Sequence, residues 1–160
     1  TIEVYSSSQR RTLGVRGQAS TRDLVDAYME LMNINLDILG VDPANIMFHE
    51  FIGDLTVSTS ADPMNVLTTV NQKIDVVRKI GSVLGIEASA ICLRIASKES
   101  SPTTAKWLDI TIEPLFVSFH KRYHISIVYR DVLDSVIEMV KHLETKLRQI
   151  INKLEKEARS

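Results

Sequence analysis

The sequence predicts an α+β fold, a two-layer sandwich in which a mostly antiparallel sheet carries three helices on one face, the last of them long. Three observations predict it. Residues 107–130 alternate apolar and polar side chains with period two, the pattern of strands with one buried and one wet face. Three amphipathic stretches with three- and four-residue apolar spacing begin at the capping residues Ser20, Asp62 and Asp131. At 160 residues the chain can bury roughly two-thirds of its unfolded surface, enough for a core of its own in a single domain over residues 1–160.

In chain order, Ile2 to Tyr5 reads as a short edge strand, Ser6 to Arg11 as a polar loop and Thr12 to Arg16 as a second strand. Residues 1–19 are therefore expected to form an N-terminal hairpin or arm. At Ser20 a capping hydroxyl stands three residues before Asp23, a variant of the capping box. The helix it opens carries Leu24, Val25, Tyr28, Leu31, Met32, Leu36 and Leu39 on its apolar side, and Gly40 with Asp42-Pro43 stops it. From Asn45 to Ser58 the period changes to two. Phe51, Leu55 and Val57 alternate with Ile52, Asp54 and Thr56, and Gly53 marks a bulge or a close approach.

Asp62 and Pro63 open the second helix, because proline loses nothing at a first helical position. Val66, Leu67, Val70, Ile74, Val77, Ile80 and Leu84 form its stripe, and Gly85 ends it. Ala90 to Ala96 reads as a strand with Ile91, Leu93 and Ile95 inward and Cys92 and Arg94 outward. In the strand pair that follows, Leu108, Ile110 and Ile112 alternate with Asp109, Thr111 and Glu113. Tyr123, Ile125, Ile127 and Tyr129 then alternate with His124, Ser126 and Arg130. Pro114 cannot donate to a ladder, so the strand must bend, bulge or lie at an edge there.

The last helix, over residues 131–158, would be about 40 Å long at a rise of roughly 1.5 Å per residue, more than a sheet of this size covers. Its final turns carry Leu147, Ile150, Ile151 and Leu154, which would be exposed in a monomer. They are the expected interface of a homodimer formed through the C-terminal helix.

Composition narrows the function classes. With 44% hydrophobic and 24% charged residues the chain is neither disordered nor membrane-spanning, and no run of eighteen apolar residues occurs. An acid at Glu3 and no basic flank argue against an export signal, so a cytoplasmic location is expected. A formal net charge of −1 argues against the diffuse basic field of a nucleic-acid binder. Arg10, Arg11, Arg16 and Arg22 form a weak cluster that a solvated loop explains. The lone Cys92 excludes an intramolecular disulfide and a multi-cysteine metal site.

No phosphate-binding glycine loop, serine elbow or paired-histidine metalloprotease helix is present, and no cofactor or metal is expected. His120 and His124 would lie about 13 Å apart on an extended strand, too far for one ion. Cys92 and His124 could meet on one sheet face, but a strand cysteine is usually a packing residue.

The remaining candidate is the polar sheet face, onto which Asp54, Arg94, Asp109, Glu113, His124, Ser126 and Arg130 project if the strand phase is right. Such a face is either a solvated surface laced with ion pairs or a groove. In the groove, Arg94 and Arg130 would hold an anion while Asp109, Glu113 or His124 moves a proton, with Trp107 and Tyr123 as walls. The expectation is a homodimeric binding or scaffolding module without its own catalysis. The alternative is a small hydrolase or transferase acting on an anionic ligand at this face, and a second alternative is nucleic-acid binding through the N-terminal arginines.

Overall fold

The computed structural model describes residues 1–116 and 121–160 and is an α+β fold with antiparallel sheets. Its elements are β1 (Ile2–Ser7), β2 (Thr12–Gly17), α1 (Thr21–Asn33), β3 (His49–Ser58), α2 (Pro63–Gln72), α3 (Asp75–Leu84), β4 (Leu93–Ala96), β5 (Trp107–Pro114), β6 (Arg122–Asp131), α4 (Leu133–Lys141) and α5 (Leu143–Arg159). Two compact units result. One comprises Thr1–His49 with Asp131–Leu143, the other Glu50–Arg130 with Glu144–Ser160.

In the first unit β1 and β2 pair antiparallel from Ile2 opposite Gly17 to Ser7 opposite Thr12. Ser20 caps α1 by accepting the Asp23 backbone N–H at 3.1 Å while its hydroxyl donates to the Asp23 carboxylate at 2.7 Å. The helix widens into a π-helical turn at Ile34–Ile38, and Gly40 takes the left-handed backbone (φ 63°) that stops it. Leu39, assigned to the buried stripe by its spacing, is consequently exposed. Helix α4 packs along α1, and Val25 and Met32 of α1 and Val136 and Val140 of α4 are buried. Asp131 proves to be the last residue of β6. Val132 holds the cap position of α4 and donates its N–H to the Asp131 carboxylate at 2.8 Å.

In the second unit the strands lie in the order β3-β6-β5-β4. Asp109 faces Val128, Thr111 faces Ser126 and Glu113 faces His124 across β5 and β6, while Arg94 of β4 faces Thr111. Ile110, Ile112, Ile125, Ile127 and Tyr123 are buried on one side, the phase that the alternation predicts. Helix α2 lies against β5, with Val66 and Leu67 buried, and burying each such side chain fully contributes about 1.5–3 kcal/mol. Strand β4 starts at Leu93 rather than Ala90, and as an edge strand it leaves Ile95 exposed rather than inward.

The helix expected from Pro63 to Leu84 is interrupted. Asp62 caps α2 through the Met64 N–H at 3.0 Å, as its position predicts, but Ile74 adopts an extended backbone (φ −96°, ψ 99°). The buried Asn71 amide donates to the Ala90 carbonyl at 2.9 Å, tying the end of α2 to the approach to β4. Gly85 (φ 66°) then closes α3, and the chain folds back so closely that a Cβ on Gly81 would sit 2.8 Å from the Ile86 carbonyl oxygen.

The C-terminal stretch is helical with a break at His142 (φ −105°, ψ 8°). Helix α5 is about 25 Å long at roughly 1.5 Å per residue. Leu147 and Ile151, expected to be exposed and available to a partner, are 1% and 3% exposed, and Ile150 and Leu154 are half-buried. The chain's own fold already covers Leu147 and Ile151, two of the four side chains for which a second copy seemed necessary. No helix among the described residues is long and apolar enough to cross a membrane.

Candidate functional site

The wet side of the β3-β6-β5-β4 sheet carries every residue that the alternation assigns to it. Arg94 reaches diagonally to Asp109, with Nε to Oδ1 at 3.0 Å and Nη2 to Oδ2 at 2.6 Å, a two-point carboxylate clamp. The hydrogen bond from Arg94 holds the Asp109 carboxyl below the ordinary aspartate range, and Asp109 in turn raises the Arg94 guanidinium. Glu113 and His124 stand directly opposite each other and meet at 3.0 Å through Nδ1, while His124 Nε2 lies 3.5 Å from Asp54. Ser126 donates its hydroxyl to Asp54 at 2.6 Å. Arg130 clamps Glu50 with Nε at 2.8 Å and Nη2 at 2.5 Å, and its Nη1 donates to the carbonyls of Pro102 and Thr104 at 2.8 and 3.0 Å.

These contacts form three local groups in place of one groove. Arg94 aligns with Thr111, which aligns with Ser126, and Ser126 is four residues from Arg130. The two guanidiniums are thus separated by about 13 Å along the strands and by two strand spacings of about 4.8 Å across them. One small anion cannot bridge them, so the expected shared anion hold does not form. The carboxylates Asp54 and Glu113 approach different nitrogens on opposite sides of the His124 ring and do not converge on a common point. Among the described residues no cluster of three or more His, Cys, Asp or Glu could hold a metal ion. His120 lies outside the described residues.

Trp107 is buried at the end of the polar row opposite Arg130, whereas Tyr123 belongs to the core face and cannot wall the polar one. The Tyr123 hydroxyl is buried with no hydrogen-bond partner among the described residues, and burial pushes its pKa well up. Cys92 is exposed just before β4. Partial burial followed by the nearby Glu113 charge raises its thiol, the opposite of what an activated nucleophile needs.

Glu50 and the Tyr28–His49 pair are partners that the alternation alone did not expose. Glu50 shares its side of β3 with Ile52 and Asp54, so extending the period-two count by one step back from Ile52 finds it. His49 Nδ1 lies 2.7 Å from the Tyr28 hydroxyl in the first unit, a contact between residues far apart in sequence that no local pattern encodes. A second polar feature, a cleft of about 240 Å³ beside the end of β3, is lined by Val57, Ser58, Thr59, Ser60, Arg148, Ile151, Asn152 and Glu155. There the Thr59 hydroxyl donates to the buried Glu155 carboxylate.

The N-terminal arginines are spread out, with Arg16 paired to Glu3 at 3.2 Å and Arg22 to Asp26 at 3.9 Å. No family model matches the chain, and no curated protein or solved structure matches it either.

Proposed function

We propose that the chain is a homodimeric binding or scaffolding module without catalysis of its own, working in the cytoplasm. The observation that supports this is the self-neutralised sheet face. An enzyme acting on an anionic substrate needs a cation whose charge is not already matched, but Arg94 is clamped by Asp109, and Arg130 spends its donors on Glu50 and two carbonyls. An incoming anion therefore meets guanidiniums that already face a carboxylate. The hydrolase or transferase alternative asks the same groups to be both held and available, and the exposed thiol of Cys92 fits a reducing compartment.

Titrating inorganic phosphate and acetate into the chain while following the Arg94 and Arg130 side-chain NMR signals tests the reading. Weak, non-saturating shifts are expected. Saturable binding at either guanidinium, together with turnover of a phosphate or acetate ester that Arg94→Ala or Arg130→Ala abolishes, would overturn the reading in favour of the enzyme. The solution mass across the micromolar range tests the homodimer, and a monomer throughout would remove it.

A further inference from the structure

A strand at the edge of a sheet presents a row of unpaired backbone donors and acceptors, which proteins ordinarily guard by keeping the strand short or by placing proline, lysine or a bulge in it. The two edges of the β3-β6-β5-β4 sheet differ in this respect. Strand β4 has four residues and is a short edge. Strand β3 has ten, with no proline and no lysine. Its two acids, which could repel a neighbouring strand, are engaged within the sheet, Glu50 with Arg130 at 2.8 Å and Asp54 with Ser126 at 2.6 Å. Nor does a bulge interrupt it. Thr59 donates its N–H to the Lys121 carbonyl at 2.9 Å, and the pairs 59 with 121, 54 with 126 and 50 with 130 keep one register across Gly53.

The Thr59 contact also fixes which backbone groups point outward, because alternate residues of an antiparallel strand exchange their bonds with one and the same neighbour. Residues 57, 55, 53 and 51 therefore bond to β6 as Thr59 does. The N–H and C=O groups of Glu50, Ile52, Asp54, Thr56 and Ser58 are directed away from the sheet, and among the described residues no hydrogen bond reaches them. Ile52, within this row, is 66% exposed.

We propose that two copies of the chain pair along this edge, β3 against β3, antiparallel and about a two-fold axis at Gly53; the proposal rests on the homodimer reading and moves its interface from the C-terminal helix to this strand. Self-complementarity selects a second copy as the occupant. Directly opposed residues of an antiparallel pair share a face, so the axis falls on a residue, and only Gly53 or Asp54 lets the strand pair along nearly its whole length. An axis at Asp54 would set two carboxylates against each other, and like charges directly opposed destabilise a pair. With the axis at Gly53, Glu50 meets the partner's Thr56 and Ile52 meets the partner's Asp54, so four outward pairs form about eight hydrogen bonds, two each. On the core side the half-buried Phe51 meets the partner's Leu55. The Phe51 ring lies over its own Gly53, where a Cβ would stand 2.7 Å from it, so the axis brings the two rings side by side. Pairing consumes both β3 edges and leaves the four-residue β4 at each end, so association closes at two copies.

Amide hydrogen exchange read by NMR, alongside sedimentation over the micromolar range, is the test. Once the wild-type dimer predominates, exchange at Ile52, Asp54 and Thr56 is expected to slow at least tenfold, while Phe51, Gly53 and Leu55, already bonded to β6, change little. Thr56→Pro removes one outward donor and none from the β6 ladder, and is expected to weaken dimerisation at least tenfold while keeping its circular-dichroism melt. If the proline variant unfolds, the alternate-residue exchange pattern of the wild type decides alone. A dimer whose outward amides exchange as fast as in the monomer overturns the assignment of β3 and leaves the homodimer standing. A wild type that stays monomeric overturns both, and protection of the same amides in that monomer by an added threonine-valine repeat peptide would assign the edge to a foreign strand. Assemblies that grow beyond two copies overturn the closed pair.

Discussion

Nδ1 of His49 lies 2.7 Å from the Tyr28 hydroxyl, within hydrogen-bond distance. Burial lowers the His49 pKa and raises that of Tyr28, so both groups are held in their neutral forms. The consequence for stability has a definite sign. Below the ordinary histidine pKa of about 6.5 the unfolded chain takes up a proton that the folded one resists, so stability falls as the pH drops through that value towards the lowered folded pKa. Urea midpoints measured from neutral pH downward are expected to fall in the wild type and to fall less in His49→Gln. Equal slopes in the two proteins would show that this ring is not the titrating group. At the same scale, Arg94 with Asp109 and Glu113 with His124 were legible because alternation puts their side chains on one face of neighbouring strands. That each cation already has its carboxylate was not, because a partner depends on strand order and register, neither of which local pattern contains.

Elements were legible at their beginnings more than along their lengths. Ser20 and Asp62 cap the helices that their chemistry announces, and Gly40 and Gly85 adopt the positive φ that ends them. The interruptions at Ile74 and His142 involve neither proline nor glycine, and the apolar spacing runs through both without a gap. At the first, a tertiary contact coincides with the break: the Asn71 amide spans from α2 to the Ala90 carbonyl, and the Asn71 carbonyl accepts the Ile74 N–H at 3.0 Å. Asn71→Ala would leave the half-buried Ala90 carbonyl without that donor, and a loss of about 0.5–1.5 kcal/mol is expected from chemical denaturation. A change near zero would mean that the break between α2 and α3 is held elsewhere. Lys73, at that break, pairs with Glu157 of α5 at 2.5 Å, a contact that lowers the Glu157 carboxyl and fastens the C-terminal helix to the same unit.

For the molecule as a whole, charge bears most directly on partners. Nineteen basic and twenty acidic residues leave a net charge of −1, and the arginines of the N-terminal segment that face acids are already paired, Arg16 with Glu3 and Arg22 with Asp26. A chain of nearly balanced charge has few counterions to release. Fluorescence anisotropy with a short duplex or single strand at near-physiological salt is therefore expected to show no saturable binding. Affinity that falls steeply with added salt would restore the nucleic-acid alternative.

The sequence by itself determined the α+β class, the phase of β5 and β6 and the caps of α1 and α2, because periodicity and capping act over a few residues and are written into neighbouring side chains. Only the tertiary structure decided that the polar face is three separate hydrogen-bonded groups, that Leu147 and Ile151 of α5 are buried, and that α3 turns its apolar stripe to solvent. Amphipathic spacing records that a face is apolar. What covers that face is settled by the packing of segments far apart in the chain, where the Gly81 contact with Ile86 and Ala88 uses one side of α3 and leaves the other open.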